Sequence, residues 1–114
     1  MNRLLQEKIA FNDIRGEVIQ ARVDCLARAQ EGPEQRLQAA KDHVEFLTRK
    51  VTELDVWQED VQAKIEQMPT AFGAITFPNP DCPYRHLLRK SVGFILEVQT
   101  ERGELEEWLK QNQN

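Results

Sequence analysis

The sequence predicts an all-α protein of three long antiparallel helices, at about residues 2–30, 33–68 and 82–110, in an elongated bundle with coiled-coil-like packing. Three observations carry this expectation. Apolar residues return every three or four positions through each segment. Proline is confined to two breaks, Pro33 and the stretch from Pro69 to Pro83. Charged residues make up 30 % of the 114-residue chain, which suits helices with long solvated faces. By length this is a single helical domain, residues 1–114, small enough that association with another copy or protein would add useful burial.

In the first segment only Gly16 weakens the helical pattern, until Glu31-Gly32-Pro33 stops it. Glycine suits a helix end and proline the next helix's first turn, so the short link makes helices one and two antiparallel neighbours. Projected at 100° per residue, this helix carries two apolar stripes. Leu4, Phe11, Ile14, Val18 and Cys25 form one, and Leu5, Ile9, Ile19, Val23 and Leu26 the other. Together they cover well over half the circumference, whereas packing on one neighbour needs a stripe somewhat over 100° wide. Either the helix is sandwiched within its own bundle, or the second stripe is a homodimer seam or partner groove. Leu5, Ile9, Ile19, Val23 and Leu26 are accordingly the candidate dimer interface.

The second segment has the clearest periodicity, a three-four spacing through Leu37, Ala40, Val44, Leu47, Val51, Leu54, Gln58, Val61, Ile65 and Met68 that only Gln58 breaks. At about 1.5 Å per residue such a helix is about 50 Å long. Phe46 and Trp57 stand three turns apart, off this seam and in line with Ala39, and Val56 is also off it. Aromatic residues outside a seam are either interface anchors or a second flank covered by helix one.

Pro69 ends helix two, and a loop rich in proline follows, holding Phe72, Ile75 and Phe77. These three either plug the end of the bundle or form a docking arm. The candidate partner-binding set is therefore Phe46, Val56, Trp57, Phe72, Ile75 and Phe77. Asp81 can cap the third helix, in which Tyr84, Leu87, Leu88, Phe94, Ile95, Val98, Leu105, Trp108 and Leu109 keep helical period. The short apolar runs 71–77 and 92–98 also fit strands, although the second lies inside the longer helical pattern and the first holds Gly73 and is closed by Pro78. Acids late in helix two (Glu53, Asp55, Glu59, Asp60, Glu66) and bases early in helix three (Arg85, Arg89, Lys90) are expected to meet across an antiparallel pair.

The function classes narrow by exclusion. A net charge of −4 gives no general attraction to nucleic acid, and the one basic patch, Tyr84 to Lys90, has no basic stripe following it. No apolar run approaches the roughly 20 residues that cross a bilayer, and the N-terminus lacks a signal sequence's apolar stretch, so a cytoplasmic protein with two lone thiols, Cys25 and Cys82, is expected. Ser91 sits in no nucleophile elbow, and His43 and His86 belong to no recognised motif, so no catalytic residue is assigned. Asp81, Cys82 and His86 offer an incomplete ligand set for zinc, so neither metal nor cofactor is expected.

What remains is a non-enzymatic protein, expected to be a homodimer, that sequesters another protein through apolar helix faces. In length, helical layout and the lysine-poor stretch Gln30-Glu31-Gly32-Pro33-Glu34-Gln35-Arg36-Leu37, the chain resembles the small all-helical bacterial antiactivators of the QslA type. That resemblance implies a role in quorum sensing, with a transcription factor as partner whose dimerisation or DNA binding is blocked; it assigns no residue roles. The competing expectation is a coiled-coil subunit or chaperone of a larger assembly, such as a secretion apparatus or phage particle.

Overall fold

A computed structural model describes residues 3–66 and 83–113. It contains three helices, α1 (Arg3–Ala29), α2 (Pro33–Glu66) and α3 (Pro83–Asn112), and no strand among the described residues. The expected ends are met to within two residues. The run 92–98 lies inside α3, where Phe94, Ile95 and Val98 are buried while Val92 and Leu96 are exposed. That is a helix's three-four alternation, not the every-other pattern of a strand. The run 71–77, together with Phe72, Ile75 and Phe77, lies outside the described residues, as do Met68, Asp81 and Cys82.

The α1–α2 link shows how sequence sets topology. Gln30 N–H donates to the Ala27 carbonyl (3.3 Å) and Glu31 N–H to that of Arg28 (3.1 Å), which tightens the last turn of α1. The Gly32 carbonyl then accepts from Arg36 N–H at 2.9 Å, starting α2 with Pro33 in its first turn, where its missing N–H has no helical acceptor to lose. With so few residues between them the helices must run antiparallel. Their ion pairs follow that register: Glu7 with Lys64, Glu17 with Lys50 and Arg28 with Asp42, α2 numbers falling as α1 numbers rise.

Both α1 and α3 pack chiefly on α2 and touch each other little. The molecule measures 63 × 27 × 17 Å, long and shallow, because every helix runs along the same axis. Leu47, Leu54, Val61 and Ile65 of the predicted seam are buried in one cluster with Leu87, Phe94, Ile95 and Val98 of α3. Gln58, which interrupts that seam, donates to Ser91 Oγ at 2.8 Å, and the buried Ser91 hydroxyl donates to the Leu88 carbonyl at 2.6 Å. The polar break is therefore answered by a hydrogen bond across the α2–α3 seam, which favours one register over its neighbours.

The second flank of α2 faces α1. Trp57 is only 8 % exposed, its ring 5.3 Å from that of Phe11, and Phe11 meets Phe94 of α3 edge-on at 5.8 Å. Trp57 is thus core and cannot anchor a partner without unfolding the α1–α2 pair. Phe46, three turns away on the same helix, is half-buried, stacked on His43 and approached by the cations of Arg49 and Lys50. Glu53 and Asp60 pair with Lys50 and Lys64 of α2 itself, each at 2.9 Å, so these two acids are satisfied within their own helix and not across to α3.

Among the described residues the indole N–H of Trp57 has no hydrogen-bond partner, so burial and stacking hold this side chain in place. Trp57→Phe should therefore cost under about 2 kcal/mol, while Trp57→Ala should cost about 3–5 kcal/mol. Urea denaturation of the two variants checks the difference.

Candidate functional site on the outer face of the first helix

Of the two apolar stripes on α1, one is consumed by the fold. Phe11 and Val18 are buried, and Leu4, Ile14 and Cys25 are half-buried against α2 and α3. The other is left outside. Leu5, Ile9, Ile19, Val23 and Leu26 are each between 46 and 65 % exposed. They span about 32 Å of a continuous helix. In the middle of the same line lie Asn12 and Gly16, both exposed. A methyl group on Gly16 would meet nothing within 4 Å, so nothing in the monomer requires glycine there, although glycine in a helix interior costs about 1 kcal/mol. The flanks differ in sign. Lys8, Arg15 and Arg22 recur every seventh residue on the side nearer α3, and Asp13, Glu17 and Asp24 lie on the other.

Val56 is 61 % exposed on the outer face of α2, and Val92 and Leu96 are exposed on α3. None of these extends into a stripe comparable with that of α1.

A polar cluster stands close to one end of the stripe. Arg22 Nε donates to Glu101 Oε1 at 2.5 Å, and His43 Nε2 lies 2.6 Å from Glu101 Oε2. One residue comes from each helix, so the cluster bolts α1, α2 and α3 together at a point where α1 and α3 otherwise barely touch. His43 is 5 % exposed. Burial pushes the Glu101 carboxyl up, but the bonds from His43 and Arg22 outweigh it and hold the group below its ordinary range. The nearby Cys25 thiol, 3.6 Å from the Ala39 carbonyl, is pushed up by burial despite the opposing charge of Arg28, which favours its protonated form. Arg36 lies over the ring of Trp108 at 4.5 Å, closing the same end of the bundle. The cluster's groups face one another, an arrangement suited to fastening helices.

Sequence reasoning did not bring these three residues together, since they stand far apart in the chain. The available signal was His43 itself, an ionisable group on the apolar flank of Ala39, Phe46 and Trp57, where burial demands a partner. In the basic patch, Tyr84 is buried and not free to stack on a base, while His86, Arg89 and Lys90 are exposed. Among the described residues no three His, Cys, Asp or Glu side chains converge as metal ligands, and no helix is long and apolar enough to cross a membrane.

No protein-family model matches the chain, and the searches of curated proteins and of solved structures each found no match.

A carboxyl held low in the folded state contributes stability above its unfolded value and loses it on acidification. Wild-type stability should therefore fall as pH drops through about 4.5 and below, and Glu101→Gln should flatten that slope while costing roughly 1–3 kcal/mol at neutral pH. Asp42, also held low by Gln38 and Arg28, should leave a residual slope in the variant. Melting curves between pH 3 and 7 read both effects.

Proposed function

We propose that this chain acts by binding protein, without a reaction of its own, and that the outer face of α1 is its contact surface. The observation that carries this is the stripe of five half-exposed aliphatic side chains, interrupted at its centre by Asn12 and Gly16, on a helix whose opposite face already serves the core. Covering each half-exposed side chain contributes roughly 1 kcal/mol, so one stripe supplies about 5 kcal/mol. An apolar covering face supplies a similar amount of its own burial. Together these are enough to offset a typical cost of association, and a polar covering surface would not reach it.

The mode of action that suits such a surface is sequestration. A helix face of this length can cover an equivalent apolar helix on a regulatory protein, removing the surface which that protein needs for its own dimerisation. In this reading the partner is a transcription factor, and the chain is an antiactivator of the kind its length, layout and Gln30 to Leu37 stretch resemble. The 63 Å length of the molecule favours a second reading, a coiled-coil part or chaperone of a larger assembly, in which the same face would meet a neighbouring subunit.

Tagged wild-type protein and the double variant Ile9→Glu/Val23→Glu should be compared as baits in the native cell. Both substituted positions are exposed, so circular dichroism should be unchanged. A protein recovered with wild type and lost with the variant supports the reading; identical recovery by both baits contradicts it.

A further inference from the structure

The occupant of the α1 face can be read from its spacing. Leu5, Ile9, Asn12, Gly16, Ile19, Val23 and Leu26 alternate steps of four and three, the seam of a two-stranded coiled coil, and all seven are exposed. The three-residue step from Ile9 to Asn12 sets the register. Ile9, Gly16 and Val23 occupy the a positions, and Leu5, Asn12, Ile19 and Leu26 the d positions. Apart from the central Asn12 and Gly16, this places β-branched residues at a and mostly leucine at d, the combination that favours two parallel strands.

The flanks choose between orientations. Lys8, Arg15 and Arg22 fall at the g positions and Gln6, Asp13 and Gln20 at e. Antiparallel pairing with Gly16 central would set g against g, with Arg15 facing its own copy. Parallel pairing sets each g against the e position five residues further on the other strand. Lys8 then meets the partner's Asp13 and Arg15 meets the partner's Gln20, each twice by symmetry. Arg22, which would meet an alanine, is already committed to Glu101. Asn12 would lie against Asn12 of the second copy, where paired amides penalise any shifted register. Gly16, which no close neighbour among the described residues requires, would let the two backbones approach at the centre.

We infer that the outer face of α1 is covered by α1 of a second copy of this chain, in a parallel, in-register two-stranded seam. The inference rests on the reading of this face as the association surface and names what occupies it at rest. A protein captured through the same face must displace the copy, so self-pairing sets the affinity that a partner has to exceed.

Sedimentation equilibrium of the whole chain tests this with four proteins. Wild type should be a dimer, and Val23→Glu a monomer with an unchanged circular dichroism spectrum. Lys8→Glu should weaken the dimer about threefold to tenfold, and adding Asp13→Lys should restore it, because the exchanged charges meet only in the parallel register. A monomeric wild type would overturn the inference, as would a dimer indifferent to Val23→Glu. Failure of Asp13→Lys to rescue Lys8→Glu would overturn the parallel register. A monomeric wild type whose α1 variants still lose a captured protein would remove the second copy and leave the association reading intact.

Discussion

The arrangement depends on α2 being, among the three described helices, the one that packs extensively on both others. Its seam residues Leu47, Leu54, Val61 and Ile65 are buried in one cluster with Leu87, Phe94, Ile95 and Val98 of α3, while on its second flank Trp57 stacks on Phe11 and Ala39 meets Cys25, both of α1. Since α1 and α3 touch each other little, through pairs such as Phe11–Phe94 and Arg22–Glu101, neither wraps the other. Apolar surface on α1 in excess of what α2 can cover is therefore left facing outward. The exposed stripe is a consequence of a shallow three-helix layer, and its aliphatic composition is what makes it unusual for a lone molecule.

Much of the fold was legible because its signals are local. Gly32 and Pro33 mark one helix boundary and Pro83 another, and periodicity alone placed the α2 seam, whereas 92–98 also fitted a strand until the burial pattern of α3 showed it to be helix. The side of each helix that faces a given neighbour was not legible, because periodicity fixes stripes but not their partners. Phe46 and Trp57 read equally well as anchors or as a covered flank. Only the approach of Phe11 to 5.3 Å decides that Trp57 is core. Gln58 looked like a flaw in the seam until Ser91, on another helix, supplied its hydrogen bond. The Arg22, His43 and Glu101 cluster was hidden for the same reason, as each member contributes to it only when the three helices stand in register.

Polar and apolar parts of the molecule divide the work. Aliphatic and aromatic burial along α2 provides the bulk of the stabilisation, and the few buried polar groups set alignment: Glu7 with Lys64 at one end, Gln58 with Ser91 midway along the α2–α3 seam, and Glu101 with Arg22 and His43 towards the other end. Two of these fastenings, Glu7 with Lys64 and Arg22 with Glu101, tie α1 to the rest of the bundle towards both of its ends. A rigid helix presenting a preformed stripe loses little conformational entropy when it is covered, which is the property a docking surface needs.

The central claim is that the α1 stripe is buried in the working form of the protein. Hydroxyl-radical footprinting of the free chain measures this most directly, with Val56 as an internal standard because it is exposed on α2 and lies on no seam. The account predicts that Leu5, Ile9, Ile19, Val23 and Leu26 are labelled well below Val56 at high protein concentration and approach it on dilution. Labelling equal to that of Val56 at every concentration would contradict it.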